Sequence, residues 1–250
     1  MIPWIRGWTD IERTPQANTR LGVTLTFVAG ATNAGGFLAV GQYTSHMTGV
    51  VSTIADALVL GQVLLALGSL SMLLAFLGGA MCTAVLVNWG LRRALLSAYG
   101  LPLLLESLLL LIFGLFGGAI NLVGAIFVPM TVLLLCFIMG LQNAVITKVS
   151  HAEIRTTHVT GLLTDLGIEL GKIFYFNRST FPQKVVANRR KLRIHTLLVS
   201  SFFGGALLGA YGFKTYGYIA TLPLAMVLIV LTWGPIVDDL RNGRFATGPH

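Results

Sequence analysis

The residues of this chain that could do chemistry form two matching sets and one isolated acid. Ser45-His46-Met47-Thr48-Gly49 and Thr157-His158-Val159-Thr160-Gly161 both read hydroxyl, His, apolar, Thr, Gly. An imidazole donates, accepts or carries a proton near neutral pH, and a glycine lets a backbone or a ligand approach closely. Each motif follows a long apolar run that holds a glycine and an asparagine: Gly30 and Asn33 before the first, Gly140, Gln142 and Asn143 before the second. A helix starting at either motif would present unpaired N–H groups and a partial positive charge, which suits a small anion or a polar neutral molecule. The candidate binding set is therefore Asn33, His46, Thr48, Gly49, Gln142, Asn143, His158, Thr160 and Gly161.

Glu106 stands alone in the middle of an apolar run. An acid at mid-span costs roughly 2.5 kcal/mol or more unless it is paired, protonated or wetted, and marks a proton or ion site by default. Asp165 and Glu169 follow His158 at i+7 and i+11 on one helical face. They read as a proton or cation site with that histidine, or as surface partners of Arg155 or Lys172. No His-Glu-x-x-His and no Gly-x-Ser-x-Gly occurs, and Cys82 and Cys136 sit singly inside apolar runs with neither disulfide nor metal spacing. The expectation is no enzyme, no metal and no cofactor.

The elements that must position these groups are apolar. Of the 250 residues 55% are hydrophobic and only 10% charged, against about 25% charged in a soluble domain. Such a surface needs lipid as part of its solvent. Spans are expected at about Leu21 to Gly41, Val63 to Trp89, Leu95 to Ala119, Gly124 to Thr147, Ile194 to Phe213 and Tyr216 to Val237. Segments 42–62 and 148–176 carry the two motifs on short helices at about 45–60 and 158–174, too short for a bilayer that takes about 20 residues. These helices are either re-entrant or interfacial. Ser45 or Thr44 is placed to cap the first of them. The first twenty residues lack the apolar core of a signal peptide, so the first run reads as an uncleaved span.

The net charge of +8 lies in the joints between apolar runs, which points to membrane topology and not to nucleic acid. Lys and Arg concentrate in residues 1–20, at Arg92-Arg93, in 148–193 and in the tail 241–250. Segment 42–62 and the turn at 119–123 hold none. Six spans with both termini cytoplasmic satisfy this pattern, with Lys214 as the single exception. The basic linker 177–193 is then cytoplasmic and touches anionic membrane lipids.

The two halves share further landmarks. Phe76-Leu77-Gly78-Gly79-Ala80 answers Phe202-Phe203-Gly204-Gly205-Ala206, and Leu101-Pro102-Leu103 answers Leu222-Pro223-Leu224, in the same order as the histidine motifs. Residues 21–120 and 121–240 thus read as a duplicated unit. Three spans per unit is odd, so the units are inverted, a recurring transporter plan with its site between the halves.

Ala-Gly-x-x-Asn-Ala followed by Ser-His-Met-Thr-Gly, and Met-Gly-Leu-Gln-Asn-Ala followed by Thr-Thr-His-Val-Thr-Gly-x-Leu-Thr-Asp-Leu-Gly, resemble the YoaK-like family of bacterial integral membrane proteins, a domain of unknown function. The resemblance spans roughly residues 20 to 237, with Val50 standing where that family commonly has Asn. It implies a multi-pass inner-membrane protein. The fold expected is all-α and polytopic: six transmembrane helices as two inverted three-helix repeats, each with an additional short helix. The function expected is a channel or secondary transporter for a small polar solute, with a membrane-embedded enzyme or a membrane scaffold as the alternatives. Six spans make half of a common transporter unit, so a homodimer fits by analogy of fold.

Overall fold

The structure is a computed structural model that describes residues 14–120, 127–150, 154–177 and 184–245. The N-terminal segment with Trp4 and Trp8, the turn at Asn121, Arg178 in the linker and the last five residues lie outside the described residues. Among the described residues all regular structure is helical: α1 (Pro15–Val40), α2 (Met47–Val59), α3 (Val63–Arg92), α4 (Gly100–Ile120), α5 (Phe127–Val149), α6 (Val159–Phe174), α7 (Arg189–Tyr216), a 3-10 turn (Gly217–Ala220) and α8 (Thr221–Arg241).

Among the described residues four segments are long and apolar enough to cross a membrane: Gln16–Val40, Val63–Arg92, Met130–Val149 and Arg189–Arg241. The last holds α7, the 3-10 turn and α8 in succession. Much of α3 and α7 is bare of protein, with Leu64, Leu67, Met81, Val85, Phe203, Leu207 and Tyr211 turned outward. Apolar side chains facing out over whole helices are what lipid solvates, so the chain is a helical membrane protein.

Two boundaries differ from the sequence reading. α1 begins at Pro15 and not near Leu21: the Thr14 hydroxyl accepts from Ala17 N–H at 3.2 Å, and Pro15 opens the first turn without a donor to lose. Hydropathy marks where a helix enters lipid, not where it starts. α4 begins at Gly100 and not at Leu95, because residues 96–99 form a turn tied down by Asp239. Both Asp239 oxygens are used: Oδ1 accepts from Leu96 N–H at 3.1 Å, and Oδ2 from Ser97 N–H at 2.8 Å and Ser97 Oγ at 2.7 Å. Arg244 approaches Oδ1 at 3.4 Å. α4 and α8 start alike, each with a Leu-Pro in its first turn.

The core lies where α1 packs on α7, α3 on α5 and α4 on α8, with Leu25, Val28, Leu135, Met139, Leu198 and Leu228 buried among them. Glycines make the first two crossings. A Cβ on Gly30 would strike the Phe202 carbonyl, and one on Gly205 the Phe27 carbonyl. The other crossing has the same arrangement, with Gly140 against the Phe76 carbonyl and Gly79 against that of Phe137. Backbones this close gain packing contact that no lipid chain supplies. Hydroxyls add cross-helix bonds: Ser201 donates to Val23 O at 2.7 Å and Thr83 to Leu141 O at 3.0 Å.

Candidate functional site

Each histidine motif is built from its own half of the chain. Asn33, buried on α1, accepts through Oδ1 from Ser45 N–H at 3.2 Å and from Ser45 Oγ at 3.0 Å. Asn143, on α5, accepts through Oδ1 from Thr157 Oγ1 at 2.8 Å and Thr156 Oγ1 at 3.4 Å. Both asparagines therefore latch the hydroxyl residue immediately before the histidine. Neither Ser45 nor Thr44 caps α2, whose cap position falls to His46: the Ser45 hydroxyl turns to Asn33, and Thr44 Oγ1 is buried with no hydrogen-bond partner among the described residues. His46 and His158 occupy the cap positions of α2 and α6, and neither makes a side-chain cap hydrogen bond. Each ring instead lies over the glycine of its own motif, so that a Cβ on Gly49 would meet the His46 ring and one on Gly161 the His158 ring.

The two motifs are not brought together directly. α2 packs on α3, and α6 on α7. His46, Thr48, His158 and Thr160 are exposed. A cavity of about 460 Å³ is lined by Arg155, His158, Thr160, Gly161, Asp165 and His195, among others, and takes in no residue of the first motif. A larger cavity of about 780 Å³, mostly apolar, lies beside the α2–α3 joint between Val40, Gln62, Met72 and Val132.

Asp165 and Glu169 part company. Asp165 faces the His158 cavity and pairs with Lys191 at 3.2 Å; His195 Nδ1, which makes no hydrogen bond among the described residues, stands 3.8 Å from its other oxygen, and both neighbours are on α7. Of the expected pairings, Lys172 is found and Arg155 is not: Glu169 meets Lys172 Nζ at 2.8 Å and accepts from Asn188 N–H at 2.7 Å. The packing of α6 on α7 supplies Lys191 and His195 to Asp165, which sequence spacing along α6 alone could not place. On the short α6, outside the spans, the bond from Lys172 and then that from Asn188 hold the Glu169 carboxyl below its ordinary range. Glu169 acts there as a joint between α6 and the start of α7.

Glu106 lies six residues into α4, about 9 Å along the helix from its start. It is fully buried, and its Oε1 accepts from Gln142 Nε2 on α5 at 2.8 Å, so two residues of the candidate set form one pair. Glu106 Oε2 and Gln142 Oε1 are buried with no hydrogen-bond partner among the described residues.

Sequence reasoning missed two residues here. His195 is 6% exposed and lines the cavity with His158; a titratable side chain just inside an apolar run was its signal. Asp239 lies just past the expected end of the sixth span at Val237, and nothing local in the sequence distinguishes it from Asp238.

A family model described as "Protein of unknown function (DUF1275)" matches residues 21–234, in agreement with the YoaK-like resemblance. No curated protein and no solved structure matches the chain.

Proposed function

The chain belongs to the DUF1275 family, and from that premise we propose an inner-membrane channel or secondary transporter for a small polar or anionic solute. The reading has six spans in two inverted three-span repeats, residues 21–120 and 121–240, each with an additional short helix. Both termini and linker 177–193 are cytoplasmic in it. Helix of 53 residues over Arg189–Arg241 would run about 80 Å against a hydrocarbon core of about 30 Å. It reads as two spans that reverse at Gly217, where φ is 63°. α4, with 21 residues, makes the sixth.

The observation that carries the reading is the doubled latch: Asn33 on Ser45 with His46 over Gly49, and Asn143 on Thr157 with His158 over Gly161. The glycine crossings of α1–α7 and α3–α5 match in the same pairwise way. A unit used twice in opposite senses is the plan on which transporters build a solute site between halves. In this reading the Glu106–Gln142 pair is the buried polar group between α4 and α5. Arg155, His158, Asp165 and His195 form the mouth on the basic side, and His46, Thr48 and Gly49 its counterpart on the other.

Two measurements test it. A cysteine label at Asn121 is expected to react from outside and one at Gln183 from inside, since positive charge all but avoids the outer face; labels on one side would end the inverted repeat. In liposomes, His46→Ala and His158→Ala are each expected to weaken flux of the same solute. The double variant should lose less than the sum of the two, because groups acting on one solute do not add. Strictly additive stability losses with unchanged flux would leave the repeat as architecture alone.

A further inference from the structure

We propose that Glu106 and Gln142 together hold one proton, as a carboxylic acid–amide pair, and so form a proton-binding site between α4 and α5. The proposal deepens the transporter reading and rests on its assignment of α4 and α5 as spans. Both side chains are 0% exposed. Gln142 Nε2 donates to Glu106 Oε1 at 2.8 Å. The two remaining oxygens, Glu106 Oε2 and Gln142 Oε1, are acceptors with no donor among the described residues. Acceptors left unpaired in a buried place are costly, and an uncompensated carboxylate more so. One proton removes both defects. It binds Oε2 of the carboxylate, making a neutral acid, and the new O–H donates to Gln142 Oε1 while the amide N–H keeps its bond to Oε1. No other atom changes hands, and release returns the carboxylate and a proton.

Among the described residues no charged group bonds to Glu106 Oε2 or Gln142 Oε1, and the titratable groups of the packed elements are few. α1, packed on α5, carries Arg20 near its start. α3 carries Cys82 and, at its end, Arg92; α5 carries Cys136 and, near its end, Lys148; the 3-10 turn carries Tyr218; α8 carries Asp238, Asp239 and Arg241 at its end. Lys148 donates to Asn88 Oδ1 at 3.2 Å, Tyr218 lies edge-on to Phe113, and Asp239 is taken by Leu96 and Ser97. A hard metal cation takes about six oxygen ligands, and this pair offers two. The proton is the ligand that fits.

Infrared spectra of the whole protein in lipid vesicles at neutral pH test this. The carbonyl stretch of a protonated carboxylic acid is expected in wild type, moved to lower frequency in D₂O and lost in Glu106→Gln. In Gln142→Leu the same band should move to higher frequency, since the acid loses its amide acceptor; this variant keeps the test alive if Glu106→Gln does not fold. A band that Glu106→Gln leaves in place, or a carboxylate band that it removes, would overturn the proposal. So would a wild-type melting temperature that rises with sodium and a Glu106→Gln one that does not. The spectra need neither solute nor flux. A missing acid band would sink the proton site and spare the transporter reading. A band with no flux of any solute would do the reverse.

Discussion

Gly205→Leu is expected to collapse the fold, while Gly204→Leu one residue earlier leaves it intact. The two glycines sit side by side on α7 but face different surroundings. A Cβ on Gly205 runs into the backbone of Phe27, and backbone cannot swing aside as a side chain can. α7 would have to move away from α1, opening the largest helix contact in the core and breaking the Ser201 bond to Val23 O. Overpacking a tight core costs about 1–3 kcal/mol, and more where backbone must shift. Gly204 has nothing within 4 Å of its would-be Cβ. There the substitution gains up to about 1 kcal/mol of helix propensity and adds apolar surface for lipid. Melting in detergent is the measurement: Gly205→Leu far below wild type, Gly204→Leu at or slightly above it. Similar curves for the two would mean that α1 and α7 do not meet as described. Gly140→Leu, which strikes the Phe76 backbone, should fail as badly as Gly205→Leu.

Much of this was legible because periodicity, duplication and small residues are local signals. The helices on both motifs, α2 (Met47–Val59) and α6 (Val159–Phe174), fall within the short helices expected at about 45–60 and 158–174. The paired Phe-x-Gly-Gly landmarks marked the crossing glycines. Glu106 and Gln142 were each singled out, one by its cost in lipid and one by its motif. Their pairing was not legible, since a bond between α4 and α5 depends on how the helices rotate and not on spacing. The same limit hid the partners of Asp165, which α7 supplies. Ser45 was misread as a cap because a hydroxyl before a helix has two uses, and tertiary contact with Asn33 chose the other. Hydropathy alone gave α1 too late a start and α4 too early a one, since polar residues extend the first helix and a buried acid holds the second back.

That buried acid is the basis of the second large effect. Asp239→Ala is expected to lower the melting temperature more than any other single change at the α4–α8 end. Asp239 is 0% exposed and serves two backbone N–H groups and one hydroxyl in the turn before α4. Alanine leaves those donors without an acceptor, and a buried donor stranded this way costs about 1–3 kcal/mol. Asp239→Asn is no conservative change. One carboxylate oxygen becomes an NH₂, so a donor faces a donor at Leu96 or Ser97. Ser97→Ala removes only the hydroxyl bond and should cost about 1 kcal/mol. The expected order of damage is therefore Asp239→Ala, then Asp239→Asn, then Ser97→Ala. The consequence reaches the buried pair. The clamp fixes the residue from which α4 begins, and Glu106 stands six residues further on. A slip of one residue at Gly100 would turn Glu106 by about 100° on its helix, away from Gln142. Asp239→Ala should therefore also move or broaden the infrared band of the acid in whatever protein remains folded. Wild-type melting and an unchanged band in Asp239→Ala would show that α4 is held in register by its packing on α5 and α8 alone.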